Sequence, residues 1–158
     1  MEIFIIFAAK YLIGLGVLLA LLFLFKSNRD IRKHILRFAV ISLPLSYLLA
    51  LFARAMWYDP RPFVVQAITP LIPHVADNGF PSDHTLLLAS LASLLSFFNP
   101  RYASFLWIIT FLVGAARVLA HVHHTADIVG SVCIALISAV MAYVIIERLW
   151  NKKKQTRF

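Results

Sequence analysis

The feature that most constrains this chain is the recurrence of apolar runs about as long as a bilayer is thick. They extend from Ile3 to Phe25, from Ile35 to Trp57 and from Asp127 to Trp150. A helix rises about 1.5 Å per residue, so about 20 apolar residues cross a hydrocarbon core roughly 30 Å thick. Two shorter runs, His84 to Phe98 and Tyr102 to Arg117, flank Asn99-Pro100-Arg101, where proline favours a tight reversal. The stretch from Phe63 to Phe80 is broken by Pro70 and Pro73, too short to span, and reads as a loop with an interfacial segment. The expected architecture is all-α: a polytopic membrane helix bundle of about five transmembrane helices, one domain over 1–158.

Composition closes off other classes. With 61% hydrophobic and 14% charged residues and a mean hydropathy of +0.85, the chain is too apolar for a soluble domain. The net charge of +8 does not point to nucleic acid, because the basic residues form two short clusters beside apolar runs. The single cysteine, Cys133, permits neither an intramolecular disulfide nor a cysteine metal site. The N-terminal run lacks a basic leader and reads as a retained anchor.

Orientation follows from Lys and Arg placement. Lys26, Arg29, Arg32, Lys33 and Arg37 fill the expected first loop, Arg101 marks the tight turn, and Arg148, Lys152, Lys153, Lys154 and Arg157 cluster at the C-terminus. The positive-inside rule makes those segments cytoplasmic, with the N-terminus outside and the C-terminus inside. Lys10, Arg54, Arg61 and Arg117 are then left on the outer side against the rule. Lys10 is read as snorkelling to the interface.

The three arginines converge on one chemistry. Arg54 and Arg61-Pro62 close the second run, Pro81-Ser82-Asp83-His84 opens the third, and Arg117, His123 and Asp127 join the fourth to the fifth. Guanidinium groups bind phosphate oxygens through paired, charge-assisted hydrogen bonds. Ser82 is expected to cap the third helix, whose first amides then face the anion.

The spacing resembles the type 2 phosphatidic acid phosphatase family, the membrane branch of the vanadium haloperoxidase and acid phosphatase superfamily. Its pattern is Lys, six residues, Arg-Pro; then Pro-Ser-Gly-His; then Ser-Arg, five residues, His, three residues, Asp. Here these read Arg54 to Pro62, Pro81 to His84, and Ala116-Arg117 to Asp127, with every spacing kept. Arg54 stands for lysine, Ala116 for serine and Asp83 for glycine. The string Phe-Pro-Ser-Asp-His-Thr is similar to the bacterial subgroup that dephosphorylates undecaprenyl diphosphate.

The resemblance implies a metal-independent lipid phosphatase or diphosphatase without cofactor, in the bacterial cytoplasmic membrane with its site facing outward. His123 is the implied nucleophile, Asp127 orients it from one helical turn away, and His84 is the general acid and later the base. Arg54, Arg61, Arg117 and Ser82 are the implied phosphate ligands. Asp83, His74 and Asp77 are accessory candidates, with solvated loop polarity as the plainer reading of the last two. Asp59 is read as a turn former beside Pro60, and His121 and His124 as interfacial, with His124 close enough to substitute partly for His123. The apolar segment Val64 to Ile72 is expected to cover a lipid tail. Phosphatidylglycerol phosphate, phosphatidic acid and lipid A 1-phosphate are alternative substrates, and a lipid transporter or scaffold is the non-enzymatic alternative. A metal reading of His121, His123, His124 and Asp127 conflicts with the arginines, which repel a cation.

Overall fold

The computed structural model describes the backbone of residues 1–155 and side chains through Arg148. Its helices are α1 (Glu2–Lys26), α2 (Arg29–Met56), the single turn α3 (Pro62–Val65), α4 (Asp83–Ser96), α5 (Pro100–Leu119) and α6 (Thr125–Gln155). The described residues form no strand, only an isolated bridge between Pro60 and Asn78. The side chains of the basic cluster from Lys152 to Arg157 lie outside the described residues.

Four helices, α1, α2, α5 and α6, are long and apolar enough to cross a membrane. The expected third span, α4, has only 14 residues, or about 21 Å of helix. It is the centre of the bundle, packed against α1, α2, α5 and α6. Nine of its residues, from Thr85 to Leu95, are buried, whereas α1 and α2 present most of their apolar side chains outward. Such inversion suits a bundle surrounded by lipid, in which outward apolar residues need no protein partner.

Small residues set the spacing. At Gly16 a Cβ would overlap the Leu88 side chain, and at Gly114 it would meet Ile128 Cγ2 at 2.7 Å. These glycines let α1 reach α4 and α5 reach α6. One core cluster, around Phe38, Leu95 and Leu106, fills the end near the α1–α2 turn. Another, with Ala8, Ala9, Ile72, Ala116, Ala120 and Val122, closes the opposite end.

The first loop is shorter than expected. Only Ser27 and Asn28 separate α1 from α2, because the Asn28 side chain accepts the Ile31 N–H at 2.9 Å and starts the helix there. Arg29, Arg32, Lys33 and Arg37 therefore lie on the first turns of α2, where Arg and Lys are good helix formers. At the other reversal, Asn99 caps α5 through Tyr102 N–H at 3.0 Å with Pro100 in its first turn, as the sequence indicated.

Candidate active site

The C-terminal ends of α2 and α5 and the N-terminal ends of α4 and α6 meet at one end of the bundle. Asn78 knits their connections together. Its Oδ1 accepts from the Asp59 and Phe80 N–H groups, both at 3.0 Å, and its Nδ2 donates to the Arg54 carbonyl at 3.2 Å and the Trp57 carbonyl at 2.9 Å. At Gly130 a Cβ would overlap the Phe80 ring, so this glycine lets the 78–82 segment lie against α6.

His123 is the centre of the arrangement. It lies in the short loop between α5 and α6 and is only 2% exposed. Its Nδ1 is 3.1 Å from Asp127 Oδ2, while its Nε2 is 3.4 Å from Arg61 Nη1 and 3.3 Å from Arg117 Nη2. A guanidinium can only donate, so Nε2 must be the accepting nitrogen and Nδ1 the one that carries the proton toward Asp127. The tautomer set this way leaves a lone pair on Nε2, between two cations.

The four-residue spacing from His123 to Asp127 is not a helical turn. His123 precedes α6, and Asp127 reaches back from its first turn, Oδ2 also accepting the His124 N–H at 2.9 Å. That is the backward half of a capping box, in which an acidic residue closes the helix start. Ser82 departs similarly: it occupies the N-cap position of α4, but its hydroxyl makes no capping bond and accepts from Thr85 Oγ1 at 3.3 Å. Ser131 Oγ lies 3.0 Å from the Ser82 carbonyl and 2.7 Å from that of Asp127, joining the two helix starts.

Each accessory candidate is partnered with one of the arginines. Asp77 accepts from Arg61 Nε at 2.7 Å, His74 Nε2 lies 2.9 Å from Arg117 Nη2, and Asp83 accepts from Arg54 Nη2 at 2.7 Å. His74 and Asp77 are therefore not free in the loop, although the Asp77 side chain stays 58% exposed and solvated beside its arginine. Partial burial pushes the Asp77 carboxyl up, but the hydrogen bond and charge of Arg61 outweigh it and hold the group below its ordinary value. Burial and the charges of Arg61 and Arg117 push the His74 imidazole down.

Arg61 and Arg117 are 5% and 4% exposed. Arg61 is satisfied by Asp77 and by the Val122 carbonyl at 2.7 Å. Among the described residues Arg117 has no salt bridge, and its buried Nε has no hydrogen-bond partner. A buried guanidinium with donors to spare is costly unless an anion completes it. His84 lies within electrostatic range of Arg117, His123 and His74. Arg54 stands apart: its hydrogen bonds go to Asp83 and, at 3.4 Å, to the Phe80 carbonyl, and none reaches His123.

One participant, Asp59, escaped the sequence reading, and the partner of another, His124, was not foreseen. Asp59 is more than a turn former, since its Oδ2 lies 3.1 Å from the ring Nδ1 of His124, whose backbone N–H is held by Asp127. Burial, then the nearby Asp127 carboxylate, pushes the Asp59 carboxyl above its ordinary value. Asp59, His124 and Asp127 offer ligand atoms within 4.8 Å of one another, a different set from the histidine group weighed on spacing. The Asp59-Pro60 pair was visible, but nothing local linked it to His124, 65 residues away. Of the segment from Val64 to Ile72, Ile72 is buried with Ala8, Ala9 and Val122, while Val64, Val65 and Ile68 stay exposed. An apolar cavity beside the site lies between α2 and α4, about 200 Å³ in volume and lined by Leu43, Ser46, Tyr47, Asp83, Leu86, Leu87 and Ser90.

Undecaprenyl-diphosphatase BcrC of Bacillus subtilis (strain 168) is 33% identical over 135 residues, covering 84% of this chain and 68% of that protein. The Bacitracin transport permease protein BcrC of Bacillus licheniformis is 30% identical over 108 residues, covering 67% of this chain and 53% of that protein. In fold, the crystal structure of Aquifex aeolicus LpxE matches with a TM-score of 0.67 at 24% identity, covering 89% of this chain and 81% of its own. The PAP2-type phosphatidylglycerolphosphate phosphatase of Bacillus subtilis matches with a TM-score of 0.54 at 22% identity, covering 92% and 74%. The PAP2 superfamily model matches residues 35–151, a region that contains every arginine, histidine and carboxylate of the site, and the chain belongs to that superfamily.

Proposed function

We propose that this PAP2 membrane phosphatase hydrolyses a polyprenyl diphosphate, of the undecaprenyl class, to the monophosphate through a phosphohistidine, without a metal. The observation that carries the reading is the His123 ring, with Nδ1 on Asp127 and Nε2 between Arg61 and Arg117. In the proposed reaction Nε2 attacks the terminal phosphorus while the two guanidinium groups, joined by Ser82, offset charge on its oxygens. Asp127 stabilises the imidazolium character that develops. His84 protonates the departing oxygen and then takes a proton from the water that hydrolyses the phosphohistidine. The site faces the outer side of a bacterial cytoplasmic membrane, where the lipid reaches it by lateral diffusion.

The name of the Bacillus subtilis relative supports the diphosphate substrate. Phosphatidylglycerol phosphate, phosphatidic acid and lipid A 1-phosphate stay the runners-up, since the residues that meet here bind the phosphate they share with the diphosphate. A transporter reading draws on the name of the Bacillus licheniformis relative. Against it, the charged side chains that converge do so at one end of the bundle and trace no path through it.

The test is a rapid acid-free quench with terminally labelled lipid diphosphate. Wild type is expected to acquire a base-stable, acid-labile phosphoryl label, and His123→Ala to show neither label nor turnover. Because this ring is buried rather than at a surface end, the variant's folding must be checked by thermal unfolding. Turnover above a few percent in folded His123→Ala would remove His123 as the nucleophile.

A further inference from the structure

The cations of the site occupy two stations. Arg61 and Arg117 are buried and converge on His123 Nε2. Arg54 lies at the mouth, its side chain 35% exposed and bound to Asp83, which is 68% exposed. Asp83 also lines the apolar cavity between α2 and α4, and the next residue in the chain is His84. His84 is within electrostatic range of both His123 and Asp83, so attacking nitrogen, candidate proton donor, Arg54–Asp83 pair and apolar cavity adjoin one another in that order. A prenyl diphosphate has its parts in the same order: terminal phosphorus, bridging oxygen, tail-proximal phosphate and chain.

We propose that Asp83 tethers Arg54 at the mouth so that its guanidinium receives the tail-proximal phosphate, making the pair the element that selects a lipid diphosphate over a lipid monophosphate. This rests on the substrate reading above. As the Nε2–phosphorus bond forms, the bond from the terminal phosphorus to the bridging oxygen breaks. That oxygen leaves on the tail-proximal phosphate with the proton from His84. The leaving group is itself an anion, and Arg54 offsets its charge. Arg54 spends only Nη2 on Asp83 and Nε, at 3.4 Å, on the Phe80 carbonyl, which leaves further N–H donors for a phosphate oxygen. A monophosphate puts its one phosphate at the inner station and leaves as an alcohol, so it presents nothing to Arg54. Stability does not account for the pair, because an ion pair this exposed contributes little to folding.

Asp83 is then a positioning residue that acts through Arg54, and the test measures kcat/KM for polyprenyl diphosphate and polyprenyl monophosphate of the same chain length. Purified full-length protein in detergent is used throughout. Asp83→Asn and Arg54→Gln are each expected to lower the diphosphate-to-monophosphate ratio by roughly tenfold, the scale of one charge-assisted hydrogen bond. Asp83→Glu should keep most of the preference. The double variant should be no worse than Arg54→Gln alone, since the carboxylate has no separate effect. Wild type that hydrolyses the diphosphate, with a ratio unchanged in both single variants, overturns the tether and leaves the substrate reading standing. Additive losses in the double variant overturn the action through Arg54. Wild type that hydrolyses only monophosphates overturns the substrate reading and the selectivity proposal together.

Discussion

One carboxylate oxygen, Asp127 Oδ2, accepts both from His123 Nδ1 at 3.1 Å and from the His124 backbone N–H at 2.9 Å. The group that sets the imidazole tautomer therefore also closes the start of α6. Asp127 is fully buried, so neither bond is exchanged with water.

Asp127→Asn consequently separates two effects. An amide at this position carries no charge to stabilise the imidazolium that develops, even where its oxygen still accepts from Nδ1, and the comparable change in a Ser-His-Asp triad costs roughly 10⁴ in kcat. Loss of kcat by about two to four orders of magnitude is expected, with KM little changed because the substrate touches His123 and the arginines instead. An oxygen of the amide can still accept the His124 N–H, so the thermal midpoint should fall by only a few degrees. A KM-dominated loss would place Asp127 in substrate binding.

The pH dependence of activity and of stability share a cause. Burial pushes the His123 imidazole below its ordinary value of 6.5, and the Arg117 and Arg61 charges push the same way, against the opposing hydrogen bond and charge of Asp127. The neutral ring required for attack thus persists into mildly acidic solution. The acid limb of kcat/KM assigned to His123 should lie below pH 6.5, and a midpoint above that value would contradict the assignment. For folding the sign is fixed by proton counting. The unfolded ring binds a proton near 6.5 and the folded ring only at lower pH, so stability is full above 6.5 and declines as pH falls through the window below it. The depressed His74 adds a contribution of the same sign.

Metal independence is tested from the donor set at Asp59, His124 and Asp127. An ion held there competes with His123 for the Asp127 carboxylate and lies near two buried guanidinium groups. Excess chelator is expected to leave the rate unchanged, and added Zn²⁺ to inhibit. A rate lost to chelator and restored by a divalent ion would reverse the expectation.

What could be read from sequence divides along physical lines. Long apolar runs report helices directly, and Asn99-Pro100 reports its turn, because the information is local. Motif spacing likewise indicated Arg61, Arg117, His123 and Asp127, which do meet. The dual role of Asp127 and the side-chain bond of Ser82 were not legible, since both depend on where a helix starts to within one residue. The pairings of His74, Asp77 and Asp83 with the arginines join segments 16 to 43 residues apart and follow from loop closure, which leaves no periodic trace. The early start of α2 was hidden because charged residues ended the apolar run before they ended the helix.

The last prediction concerns which leaflet the site faces. The ends of α2, α4, α5 and α6 that carry the site lie opposite the α1–α2 turn, where Lys26, Arg29, Arg32 and Lys33 cluster. The positive-inside rule puts that turn in the cytoplasm and hence the site outside. Val75, in the loop over the site, is 72% exposed and suits a reporter better than neighbouring Gly79, where a Cβ would come within 3.0 Å of Asp127 Oδ2. In a Cys133→Ala background, Val75→Cys should react with a membrane-impermeant thiol reagent in intact cells, and Ser27→Cys only after the membrane is opened. Arg54 and Arg61 would be exceptions to the rule for a stated reason: they are held by Asp83, by Asp77 and by the Val122 carbonyl rather than free to act as topology signals. Labelling of Ser27→Cys alone in intact cells would invert the protein and move its lipid substrate to the inner leaflet.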